Sequence, residues 1–326
     1  MRRRDFIACL GGAAAGALPL QARGQQRAVP VVGVANGGTA DANLAAAFRK
    51  GLSETGYVEG QNVSVEYHWL ENQYGRLPAL MADFVRRRVA VIATPGSTQA
   101  AVAAKTATAM IPIVFGVGQD PVRDGLVASL ARPGGNATGI NFFVTELIGK
   151  RLDLLHKLVP KAVHIAALVN PALTSTETAV RDIQEAARIL GLQIEIVEAA
   201  TIGDINSAFA TLARERPDAL FVAPDGFFAG RRVQLAILAA RDRMPAAYSQ
   251  RDYVLAGGLM SYGTDVANMF RQVGAYTGQI LKGIAPADLP VQQSVRFEFL
   301  INMQTAQALD IEVPPTLLAL TDEVIE

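Results

Sequence analysis

"VAVIATPGSTQAAVAAKTATAMIPIVFGVGQDP", residues 89–121, carries the pattern on which the fold reading rests. An apolar run, Val89–Ala93, meets a turn built on Pro95 and Gly96. Ser97 and Thr98 open an Ala-rich stretch, Thr98–Thr108, with helical spacing, and Ile113–Val117 is a second apolar run rich in β-branched residues. Strand, helix and strand in about 30 residues make a βαβ unit, which places its two strands parallel and needs cover on both faces.

Outward from this unit the same alternation continues. Towards the N-terminus lie strand Val29–Ala35, helix Ala42–Thr55 stopped by Gly56, strand Val63–Trp69 and helix Leu77–Arg88. After Val117 come a predicted helix Val122–Leu130 and a short strand Ala137–Ile140. The alternation then restarts: helix Glu146–Leu158, strand His164–Val169, helix Ser175–Leu190 stopped by Gly191, and strand Gln193–Val197. Helix Ile205–Arg216, strand Ala219–Ala223, helix Arg231–Arg243 and strand Ala246–Tyr248 follow. Strand Gly258–Tyr262, helix Val266–Lys282, strand Phe297–Ile301 and a helix over 304–309 complete the chain. Two successive α/β units, each a mostly parallel sheet flanked by helices, predict two lobes with a cleft between them.

The first 24 residues have the layout of an export signal: a basic start, a weakly apolar middle and the small-x-small triplet Ala22-Arg23-Gly24. Arg3-Arg4-Asp5-Phe6-Ile7 resembles the twin-arginine pattern. Cleavage near Gly24 is expected, with the periplasm as destination. Removing four Arg and one Asp leaves 26 basic and 29 acidic residues. That balance offers no basic face for nucleic acid. Cys9 is the only cysteine and lies inside the signal; the three histidines, His68, His156 and His164, have no metalloprotease spacing. No disulfide, thiolate nucleophile, metal centre or cofactor is expected.

In open α/β sheets ligands sit beyond the carboxyl ends of the strands. The residues there are the candidates. In the first lobe these are Asn36, Ser97, Thr98, Asp120 and Asn141. In the second they are Asn170 with Thr174 and Ser175, then Asp225, Phe227 and Phe228, then Tyr248 and Ser249, and lastly Tyr262. Ser97 and Thr98 suit a helix cap and equally a cradle in which free N–H groups and hydroxyls hold an anionic ligand end. The segment lacks the lysine of a phosphate loop and the G-x-S-x-G of a nucleophile elbow. Asp120 suits an N-cap for the helix expected over 122–130. Asp225 suits a turn or, on a closing lobe, a short and selective pair with a ligand amine. Phe227, Tyr248 and Tyr262 suit either core packing or stacking on a planar ligand.

Eight stretches carry a family resemblance: "GYVEGQNVSVEYHW" (56–69), "YGRLPALMADFVRRRVAVI" (74–92), "IPIVFGVGQDPV" (111–122), "GLVASLARPGGNATGI" (125–140), "KRLDLLHKLVPKA" (150–162), "GGLMSYGTD" (257–265), "ILKGIAPADLPV" (280–291) and "VPPTLLALTDEVIE" (313–326). From about residue 29 onward the chain resembles the ABC-transporter substrate-binding family, which includes tryptophan- and tyrosine-type binding proteins. The resemblance implies a type I periplasmic-binding-protein fold whose lobes close by a hinge on a small molecule such as an amino acid or an aromatic or organic acid. It also implies an ABC permease and its ATPase as partners, a monomer, and no enzymatic step. The lobes are expected over 25–143 with about 254–288, and over 144–253 with about 289–326. Amino-acid binders of the family often have Asp-Asn where this chain has Asp225-Gly226. Two other readings are a sensory protein that presents its ligand to a membrane receptor and an exported oxidoreductase. The second lacks cysteines and a G-x-G-x-x-G after a strand.

Overall fold

The computed structural model describes residues 29–142, 147–173, 175–293 and 297–326. The proposed signal (1–24), Glu146 at the expected start of a helix, and Thr174 lie outside the described residues. The strands are β1 Val31–Asn36, β2 Ser64–Trp69, β3 Val91–Pro95, β4 Ile113–Val117, β5 Ala137–Asn141, β6 His164–Val169, β7 Gln193–Glu198, β8 Ala219–Val222, β9 Ala246–Tyr248, β10 Met260–Thr264, β11 Gln292–Gln293, β12 Phe297–Asn302 and β13 Glu323–Ile325. The helices are α1 Ala42–Glu54, α2 Leu77–Arg87, α3 Thr98–Ala107, α4 Ile148–Leu158, α5 Thr176–Leu190, α6 Ile202–Glu215, α7 Gly226–Gly230, α8 Arg232–Arg241, α9 Arg251–Leu255, α10 Val266–Leu281, α11 Met303–Ala308 and α12 Pro315–Leu318.

Two sheets result, in the orders β11-β5-β4-β3-β1-β2 and β13-β12-β10-β9-β8-β6-β7. All pairings are parallel except β10 with β12. Central strands such as β3 and β4 are buried at every residue, as a sheet covered on both faces requires, whereas β2 and β7, at sheet edges, are only half-buried. These are the two predicted lobes.

The lobe boundaries fall differently from the expectation for 254–288. β10 pairs with β9 and β12, so Met260–Thr264 stays in the second sheet, where Met260 packs with Phe299 and Ile301. Only at Asp265, which caps α10 by accepting the Asn268 N–H at 2.9 Å, does the chain return to the first lobe. There Met269, Phe270 and Val273 of α10 share a core with Phe48 and Leu52 of α1. The helices touch backbone to backbone: a Cβ on Gly51 would lie 1.8 Å from the Arg271 carbonyl oxygen, and one on Gly274 2.1 Å from that of Phe48. Only glycine permits that approach. The chain passes between sheets three times: between Asn141 and Ile148, at Asp265, and between Gln293 and Phe297.

Two local expectations fail for identifiable reasons. Val122–Leu130 is not a helix. Gly125 adopts φ +72° and ends one turn by a Schellman pattern, with Leu126 N–H donating to Pro121 O at 2.9 Å and Gly125 N–H to Val122 O at 3.1 Å. Helix α6 starts at Ile202 rather than Ile205, because Thr201 and Asp204 form a reciprocal capping box.

Candidate functional site

The carboxyl ends of the two sheets face each other and touch. From the first lobe come the turn after β1 and the loop between β3 and α3. Asn36 is buried at the end of β1; its Nδ2 donates to Pro95 O at 2.5 Å and its Oδ1 accepts from Gly38 N–H at 2.7 Å. One asparagine thereby fixes both loops. Ser97 is the buried N-cap of α3, its Oγ accepting from Ala100 N–H at 3.3 Å while its carbonyl takes Ala101 N–H. The first-turn N–H groups of Thr98 and Gln99 have no intrahelical acceptor, as at any helix start. The Thr98 hydroxyl donates to the Gln119 side-chain oxygen, which ties α3 to the loop after β4. Asn141 is buried at the end of β5.

The second lobe contributes charge. Asp225 ends the loop after β8 and caps α7, its Oδ1 accepting from Phe228 N–H at 2.7 Å. Its Oδ2 accepts from Asn170 Nδ2 at 3.2 Å. Burial pushes its carboxyl up to about 6, against the opposing pull of the Phe228 N–H and Asn170. Among the described residues no cation is one of the groups that shift it. Asn170 Nδ2 also lies 3.4 Å from Asn72 Oδ1 of the first lobe, and Asn72 Nδ2 donates to Ala200 O across the gap at 3.1 Å. At the rim Arg232 of α8 meets Asp41, the N-cap of α1, at 3.4 Å. Closure is tight at the turn after β1: a Cβ on Gly38 would lie 3.2 Å from Gly226 O, and one on Gly230 2.5 Å from Thr39 Oγ1.

The structure thus brings Asn36, Asn72, Asn170 and Asp225 into one polar seam, with Ser97 and Thr98 at the start of α3, next to the Asn36–Pro95 bond. It separates others from it. Asp120 is exposed and its Oδ1 accepts from its own turn, at Val122 and Arg123 N–H. Ser175 sits at the N-cap position of α5 without making the cap bond, and Ser249 is buried just after β9. The aromatic stacking foreseen for a ligand is made inside the protein. Phe227 and Phe228 pack with Leu168 and Phe209, and Tyr248 stacks on Tyr253 at 4.5 Å between ring centres. Tyr262 packs edge-on against Phe299.

Sequence reasoning missed Asn72, Tyr74 and Arg151. Asn72 and Tyr74 follow β2, an edge strand whose end carries no conspicuous group; the left-handed φ of +65° at Asn72 is the residue's one local peculiarity. The Tyr74 hydroxyl lies against Gly37, and burial together with the Asp225 charge raises its pKa.

Two packed α/β lobes joined by three crossings, with a polar seam between their strand ends, define a periplasmic-binding-type protein. Residues 29–325 match the family of ABC transporter substrate binding proteins, and the chain belongs to that family. It is 28% identical over 265 residues to a tyrosine-binding protein of Clostridioides difficile (strain R20291), an alignment covering 81% of this chain and 76% of that one. Among solved structures it resembles an ABC domain in complex with L-Trp from Streptococcus pneumonia, with a TM-score of 0.81 and 25% identity over 91% of this chain and 99% of that one. A ligand-free, open substrate-binding protein with adhesive properties from Clostridium difficile covers the same shares at 25% identity but with a TM-score of only 0.63. Among the described residues no helix is long and apolar enough to cross a membrane.

Proposed function

We propose that this protein captures an amino acid between its lobes in the periplasm and hands it to an ABC permease driven by its ATPase. The observation that carries this is Asp225. It is a buried carboxylate at the end of the second sheet, held among the described residues by neutral donors. A buried anion without a cation is unfavourable, and a ligand ammonium would supply the missing charge in a desolvated, selective pair. Opposite it, the α3 start offers the free N–H groups of Thr98 and Gln99 and the Ser97 hydroxyl for the ligand's carboxylate. An α-amino acid spans the two.

Closure then follows from differential affinity. The ligand bonds both lobes only when they meet, so it shifts the population towards the closed form. The tyrosine-binding relative and the tryptophan-bound neighbour support an amino acid as the ligand class. The protein acts as a monomer, exported through its N-terminal signal, and binds without transforming its cargo.

The test is a thermal-shift screen of the protein from about residue 25 against amino acids, amine-free analogues of the same acids, sugars and organic acids. Native-state binding raises Tm by mass action, by RT ln(1 + [L]/Kd). A shift with amino acids that disappears with the amine-free analogues is expected. Equal shifts for both members of such pairs would remove the ammonium role of Asp225.

A further inference from the structure

Arg151 lies in the first turn of α4 and is completely buried. Its Nε donates to the Tyr262 carbonyl oxygen at 2.8 Å. Among the described residues its Nη1 and Nη2 have no hydrogen-bond partner. The Phe221 ring faces the guanidinium, 5.6 Å from its carbon. Among the described residues the groups that raise its pKa are two tyrosines, Tyr253 and Tyr262. Burial lowers it to about 9, so the side chain is still a cation at neutral pH. Buried charges are ordinarily paired, and a guanidinium presents a planar fork that matches a carboxylate. Here the fork is intact and no described residue pairs with it.

The position of the fork says where the partner comes from. Strand β9 is three residues long, and its last register pair is Tyr248 with Ser261. Strand β10 runs on to Thr264. The Tyr262 carbonyl therefore lies beyond the reach of β9, and Arg151 takes the place of the missing strand. This sets the guanidinium at the carboxyl ends of the second sheet, between the strand that leads to Asp225 and the crossing at Asp265. The Phe221 ring beside the guanidinium belongs to β8, the strand that leads to Asp225.

We propose that Arg151 is a second ligand-anchoring residue of the second lobe, and that it binds a carboxylate carried on the ligand's side chain. The inference rests on the reading of this protein as an amino-acid binder. With the α-ammonium at Asp225 and the α-carboxylate at the α3 start, the group that reaches Arg151 is the far end of the molecule. The cargo is then an amino acid with an anionic tail. Arg151 selects for that tail because leaving the fork unpaired in the closed form is unfavourable, and a neutral ligand does not relieve it.

Calorimetry with matched pairs tests this: norvaline against glutamate, and phenylalanine against 4-carboxyphenylalanine, each on the wild type, Arg151→Met and Arg151→Lys. The expected result is that one pair shows about a 100-fold preference for the carboxylate member. Arg151→Met erases the preference, and Arg151→Lys, which keeps the charge without the fork, retains part of it. The ligand-free Arg151→Met protein melts no lower than the wild type, since it loses an unpaired buried charge. If the wild type binds amino acids without regard to the carboxylate, or if the preference survives in Arg151→Met, the role of Arg151 is wrong while the amino-acid reading stands. If no amino acid binds the wild type, both fall. The wild-type pairs and Arg151→Lys keep the test decisive even if Arg151→Met does not fold.

Discussion

The two walls of the seam are built on different principles. The first lobe offers neutral groups that mostly satisfy one another: Asn36 bonds Pro95 and Gly38, Ser97 caps α3, and Thr98 bonds Gln119. The second lobe offers two buried charges, Asp225 and Arg151, neither of which meets an opposite charge among the described residues. A wall of satisfied groups is pre-organised and holds its shape without cargo. A wall of unpaired charges is unfavourable until cargo arrives, and so it discriminates. Under the proposed function, the first lobe would supply affinity of a general kind and the second selectivity.

The sharpest way to break this contrast is to neutralise the charged wall. Asp225→Asn keeps a side chain that can cap α7, since Asn serves as well as Asp at that position. It removes the anion. Amino-acid affinity by calorimetry is expected to fall about 100-fold, with Tm equal to or above the wild-type value. A Tm unchanged together with unchanged affinity would make Asp225 a cap and nothing more.

The same contrast should appear as a pH dependence with a defined sign. The native Asp225 carboxyl is pushed up to about 6 from an ordinary 3.8. Between those values the native state holds a proton that the unfolded chain has released, so this group's contribution to ligand-free stability is present at low pH and is lost as pH rises through 6. Ligand affinity runs the other way: it falls about tenfold per unit as pH drops below 6, because only the ionised carboxylate pairs with an ammonium. Denaturation midpoints and titrations between pH 4 and 8 would measure both slopes, and Asp225→Asn should flatten both.

The smallest effect belongs to the neutral wall. Ser97→Ala removes the α3 cap and should cost about 1 kcal/mol, a fall in Tm of about 2 °C. Affinity should decline by about tenfold or less, the worth of one neutral hydrogen bond. A loss as large as that of Asp225→Asn would overturn the division of labour between the walls.

The alternation of strands and helices was legible because strands buried on both faces must be continuous apolar runs, as in Val91–Pro95 and Ile113–Val117. Asp225 could be found because it follows such a run. Arg151 could not. In "KRLDLLHKL" it stands beside the exposed Lys150 and looks like another solvated cation on an amphipathic helix. Only the short β9 on the neighbouring sheet reveals where it points. Phe227 and Tyr248 mislead for the converse reason: an aromatic beyond a strand end has the same pattern whether it faces a cleft or, as here, fills the core behind one. The lobe boundary expected near residue 254 falls at Asp265 because a strand carries no local mark of which sheet it will join; the cores reached by Met260 and Phe270 decide it.

The backbone contact of α1 with α10 governs the order in which the molecule can be finished. Residues 42–54 and 266–281 must meet before the first lobe has a complete core, and the whole second sheet apart from its last two strands is threaded between them. A chain emerging from the ribosome therefore holds an unfinished first lobe until Leu281 is free, with Phe48 and Leu52 uncovered in the meantime. Cutting the gene after residue 142 would not release a lobe, only five of its six strands without the helix that seals them. Neither half is a module that can be made alone, and any route that carries this protein out of the cell already folded must wait for its C-terminal end.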